Sequence, residues 1–226
     1  MANELLTELA GLCRQRSATY GLLARLYRVE VDQEFLDVLH GMRFPAATGN
    51  ASCDEGYRMV ATYLSNLNEH SVTELAVDYA RTFIGYGVDA YSAAFPFESV
   101  YTSEKRLKMQ EARDEVLAIY HAYGLDKNES WKENEDHLAV ELEFMQFMCD
   151  RTVAALETGD EDKAVSLLAT QKGFLDDHLA AWAPMMTADV RRISKTWFYQ
   201  GLSHVTDGFL REETAFFDEI LTEEDE

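Results

Sequence analysis

Cysteine is scarce in this sequence, and the few residues present lie far apart. Cys13, Cys53 and Cys149 are odd in number and form no C-x-x-C pair, so the chain offers neither a disulfide framework nor a thiolate zinc site. A reducing compartment is the expectation. Helix breakers are also few, with 3 Pro and 12 Gly in 226 residues, which points to long uninterrupted helices. Positive charge is the third shortage: 20 Lys+Arg face 41 Asp+Glu, for a formal charge of −21. Such a chain repels nucleic acid and anionic lipid at long range and favours a basic partner; charge of this kind also serves solubility alone. No apolar run approaches the roughly 18 residues that a membrane span requires, and the opening MANELLTELAG is acidic where a secretory signal is basic. The expectation is a cytoplasmic protein, neither exported nor inserted in a membrane.

What is present fits an all-α fold. A hydrophobic content of 47% with 27% charged residues is that of a folded globular protein, and the length suits a single helical domain over residues 1–226 with a self-sufficient core. Leucines at 5, 6, 9, 12, 22, 23 and 26 recur at helical spacing from Glu4 to about Arg28, and Asp32 offers an N-cap for a short helix to about Met42. Further helices are predicted over 55–67, 72–84, 104–123, from near Glu135, and over 161–181, 187–205 and 208–221, with Pro184 separating two of them. Gly85, Gly87 and Gly124 suit helix ends. The longest loop, 88–102, holds Tyr91, Phe95, Pro96, Phe97 and Tyr101, and loops of that length in a folded domain often serve function. The chain closes on the acidic EEDE.

One stretch stands out, WKENEDHLAVELEFMQFM from Trp131 to Met148, where an acidic cluster runs into an apolar helix. At about 100 degrees per residue, Leu138, Leu142, Met145 and Cys149 share a core stripe, while His137, Glu141, Phe144 and Met148 form a second stripe that could line a groove. Two readings of Glu133, Glu135 and Asp136 stand side by side. Carboxylates are favoured at a helix start by the dipole, and carboxylates also match the planar fork of arginine. A further alternative is a helical-bundle metal-binding protein or enzyme using Glu133, His137 and Glu141, which are successive i, i+4 neighbours if the segment is helical. Against it, no Glu-x-x-His and no His-Glu-x-x-His occurs anywhere. GYGVDA at 85–90 has dinucleotide-loop spacing but follows a predicted helix, not a strand.

The acidic stretch, together with PFESVY at 96–101, DYARTFIG at 78–85 and FLDDHLAAWAP at 174–184, resembles the TorD/DmsD family of cytoplasmic chaperones that mature molybdenum-cofactor reductases. The family signature, Glu-Pro-x-Asp-His opening a helix, is met by Glu133, Glu135, Asp136 and His137, with Asn134 where the family usually has proline. The resemblance implies a TorD-like helical bundle, no catalysis and no cofactor. It implies a partner as well: the twin-arginine leader and apo form of a molybdopterin-containing reductase of the dimethyl sulfoxide or trimethylamine N-oxide type, held until cofactor insertion. It carries leader binding onto Asp136 and His137 and sets Pro96, Phe97, Glu98, Ser99, Val100 and Tyr101 near the peptide surface; the acidic Glu133 and Glu135, with Glu141 on the helix stripe and Phe83 in the matching 78–85 segment, complete the expected leader-binding set, and a homodimer is left open.

Overall fold

Helix starts in this chain are set by the side chains that precede them. The computed structural model describes residues 2–87, 93–127 and 131–222; Tyr91 and the EEDE tail lie outside the described residues. Helix α1 is Ala2–Arg28. Asp32 then accepts the Phe35 N–H and starts α2, Gln33–Gly41, as its sequence promised. Asn50 accepts the N–H groups of Ser52 and Cys53, so α3, Ala51–Leu64, begins four residues ahead of the expected Glu55. Helix α4, Ser71–Tyr79, runs into a π-turn at Ala80–Ile84, which Gly85 ends at φ +80°. Only glycine enters that region without strain.

The expected loop at 88–102 contains a short helix, α5, Glu98–Thr102. Helix α6, Glu111–Ala122, starts later than expected, because Arg106 and Met109 adopt φ of 51° and 60° and interrupt the backbone. Helix α7 is Leu138–Glu157, and α8, Glu161–Phe174, is capped by Asp160. A second π-turn, Leu175–Leu179, leads into α9, Ala180–Ile193, which passes through Pro184 rather than breaking there. Helix α10, Trp197–Thr222, is continuous where two helices were expected. The all-α class stands as read from the sequence, and no strand is present among the described residues.

The chain forms two compact units. The first comprises Met1–Arg28, Phe97–Ala181 and Glu213–Glu226. Its centre is α7, packed against α1 and α8. Both expected stripes of α7 are buried, His137 and Glu141 included, because neighbours cover the helix on more than one side. Of the second stripe, Phe144 still contributes to the wall of a cavity beside the helix. In the same unit the Arg16 guanidinium lies 4.5 and 4.6 Å from the Phe216 and Phe217 rings and donates twice to Glu213, at 2.7–2.8 Å in its best contacts. Tyr20 Oη donates to the same carboxylate at 2.7 Å. Each charge is thus partnered, which is the condition for burying an ion pair without large loss.

The second unit comprises Val29–Pro96 and Trp182–Glu212. Helices α3 and α10 meet there at a pair of glycines: a Cβ on Gly56 would lie 2.6 Å from the Gly201 carbonyl, and one on Gly201 would lie 2.7 Å from the Gly56 carbonyl. Asp78, buried at the end of α4, accepts from the N–H groups of Lys195 and Thr196 and from Thr196 Oγ1, at 2.7–3.0 Å. That carboxylate satisfies the backbone where α9 gives way to α10.

Candidate functional site

The acidic signature is a junction between two helix starts. His137 is extended, at φ −80° and ψ 135°, and forms the N-cap of α7: its Nδ1 accepts the Ala139 N–H at 3.0 Å. The helix therefore begins at Leu138, not at Glu135. A ring nitrogen used as an acceptor must be unprotonated. Burial, reinforced by the charges of Lys108 and Arg28, pushes the His137 pKa down to about 3. Its ring meets two aromatics edge to face, Phe97 at 5.0 Å and Trp131 at 4.9 Å.

Asp136 serves the other helix. Its carbonyl accepts the Glu98 N–H at 2.9 Å, and its Oδ2 accepts the Ser99 N–H at 3.0 Å, so the carboxylate caps α5 from 37 residues away. The two segments also pair through a single antiparallel bridge between Phe97 and His137. Asp136 is 0% exposed, and its Oδ1 has no hydrogen-bond partner among the described residues. Glu98, also buried, faces His178 Nδ1 at 3.1 Å. Ser99 Oγ accepts the Gln110 N–H, which pins the irregular segment between α5 and α6. Lys108 Nζ stands 3.6 Å above the Phe97 ring.

Around this buried corner the remaining carboxylates grow more exposed. Glu135 takes Arg113 Nε at 2.7 Å and Lys127 Nζ at 3.2 Å. Burial alone would raise its pKa, but the bonds from Arg113 and Lys127 outweigh it and hold it below the usual range. Glu133 is at the surface, 3.5 Å from Lys108 Nζ. Beside the corner opens a cavity of about 340 Å³, lined by Tyr120, Trp131, Phe144 and Phe147 with Arg28 and Glu143. Arg28 Nη1 pairs with Glu143 Oε1 at 2.5 Å, and its guanidinium carbon is 5.0 Å from the Trp131 ring centre. Burial raises the Glu143 pKa, an effect that Arg28 partly offsets.

The fold thus brings Glu133, Glu135, Asp136, His137, Phe97, Glu98 and Ser99 to one corner. Val100, buried, and Tyr101, half-buried, continue along α5, and Glu141 lies one turn into α7, 0% exposed. Phe83 and Pro96 fall in the second unit, where Phe83 packs on Tyr79 and Tyr199 at ring distances of 5.0 and 5.5 Å. The trio Glu133, His137 and Glu141 does not converge as a metal site. Its i, i+4 spacing holds only on a helix, and Glu133 lies outside α7. Among the described residues no group of three or more His, Cys, Asp or Glu side chains is placed to hold a metal.

Two partnerships escaped the sequence. Glu98 and His178 are 80 residues apart, and nothing local marks them as a pair. The Arg28–Trp131–Glu143 cluster joins the end of α1 to residues on and before α7; Trp131 opening the acidic stretch was its one visible sign.

A family model described as nitrate reductase delta subunit matches residues 50–188. The chain is also similar to proteins named chaperone protein TorD. That of Photobacterium profundum is 26% identical over 208 residues, covering 89% of this chain and 94% of the relative. That of Vibrio parahaemolyticus is 25% identical over 215 residues, covering 92% and 97%. That of one Vibrio cholerae strain is 23% identical over 225 residues, covering 97% and 99%.

Proposed function

The chain belongs to the TorD family of molybdoenzyme maturation chaperones, which is not catalytic, and from that premise we propose that it works in the cytoplasm as one chaperone domain holding a twin-arginine leader. The client is a molybdopterin-containing reductase of the dimethyl sulfoxide or trimethylamine N-oxide type, kept from export until its cofactor is inserted. A leader of this kind has paired arginines followed by an apolar stretch, so its receptor needs carboxylates beside an apolar surface.

The observation that carries this reading is the adjacency of the two at Trp131, whose ring packs on the signature histidine and also forms a wall of the aromatic cavity. On this reading the leader site is formed by the signature residues Glu133, Glu135, Asp136, His137 and Glu141 with the 97–101 segment. Glu133, Glu135 and Tyr101 have surface to offer a peptide, while the buried members hold the corner in shape. Release needs no covalent step: the folded, loaded client has only to bind less well than the immature one.

Co-expression with a reductase precursor of this type tests the proposal. The precursor with its leader should co-purify with the chaperone, and the same protein carrying two alanines for the paired arginines should not. Equal recovery of both would refute leader recognition and leave the family role resting on another part of the client.

A further inference from the structure

We propose that the cavity between Trp131 and Glu143 is a guanidinium receptor, filled in this structure by the chain's own Arg28 and taken over by an arginine of the client; that the incoming group belongs to a leader rests on the function proposed above. Arg28 occupies it in the manner a ligand would. Its guanidinium is 5.0 Å from the Trp131 ring centre, and its Nη1 is 2.5 Å from Glu143 Oε1. A flat cation held by an aromatic face and a carboxylate is the recognition that arginine, and not lysine, achieves best.

Three further features fit exchange rather than a fixed ion pair. The cavity retains about 340 Å³ of space beside the pair, walled by Tyr120, Phe144 and Phe147, which suits a side chain carrying apolar neighbours. Arg28 is the last residue of α1 and its side chain is 33% exposed, so it can swing out to water while its charge stays by the negative end of its own helix. Glu143 is half-buried with its side chain 37% exposed, so its carboxylate stays within reach of an incoming cation when Arg28 swings out. The net charge of −21 draws a basic segment toward the chain from a distance.

Arg28 competes with the ligand under this arrangement, and removing it should tighten binding. Arg28→Ala in the full chain is expected to bind a twin-arginine leader peptide about three- to tenfold more tightly by calorimetry, since a partly exposed ion pair and one ring contact no longer have to be displaced. Glu143→Gln should weaken the leader several-fold. A loss of folding cannot mimic the first result, because destabilisation does not raise affinity.

The Arg28→Ala protein should also bind N-acetyl-arginine amide at millimolar concentration and shift the Trp131 indole resonance, with N-acetyl-lysine amide producing a much smaller shift. If the leader binds but neither variant changes its affinity, the receptor is overturned while leader recognition survives. If the arginine amide shifts Trp131 but the leader does not bind, the receptor stands and the leader is excluded as its ligand. Absence of both responses overturns the receptor.

Discussion

Removing the carboxylate of Asp136 should destabilise the protein, because that side chain ties the start of α5 to the segment entering α7. Asp136→Ala deletes the bond from the Ser99 N–H, made at 3.0 Å in a fully buried setting, while the bond from Glu98 N–H to the Asp136 carbonyl survives. A charge-assisted bond contributes about 1.5–3 kcal/mol, and the capping loss of about 0.5–2 kcal/mol describes the same contact rather than a second one. Offsetting this, the substitution removes a buried charge whose Oδ1 has no partner among the described residues. A net loss of about 2 kcal/mol results, which for a chain of this size lowers the melting temperature by about 4–8 °C. Asp136→Asn keeps an acceptor for Ser99 N–H and should lose about half as much. Urea unfolding followed by circular dichroism measures both. A loss below about 0.5 kcal/mol for the alanine variant would refute the capping role of Asp136.

Two more outcomes follow from buried groups. His137 titrates near 6.5 when unfolded and near 3 when folded, so the unfolded state takes up its proton first as pH falls. The stability it contributes is complete above about pH 6.5 and is lost below it, by up to about 1.4 kcal/mol per pH unit down to about pH 3. His137→Gln should flatten that part of a stability-versus-pH curve, and an unchanged slope would show that His137 titrates alike in the folded and unfolded states. Gly201→Ala should cost at least about 2 kcal/mol in a urea titration, because its new methyl would stand 2.7 Å from a backbone carbonyl on α3 that has no side-chain freedom to yield; a neutral result would mean that α3 and α10 do not meet at that pair.

The helical class was legible because long periodic segments with few breakers allow little else. Asp32, Gly85 and Gly124 marked ends correctly, since each acts through its own backbone or that of a residue close by. Pro184 misled, since α9 runs through it where the sequence suggested a break between helices. The burial of His137 and Glu141 was hidden for another reason. A polar residue at the edge of an apolar stripe looks exposed until partners from distant segments, here Phe97 and the rest of the first unit, close over it. The signature could be found from sequence, but the helix that Asp136 serves could not, since Ser99 lies 37 positions away.

Leader recognition is tested most directly by calorimetric titration of the full chain with a twin-arginine leader peptide, alongside the same peptide carrying alanine for both arginines. The native leader should bind, the double-alanine leader should bind at least about tenfold more weakly, and added salt should weaken the native leader more than the variant, because only the native pairs are screened. Equal affinities for the two leaders, at either ionic strength, would contradict recognition of the arginines.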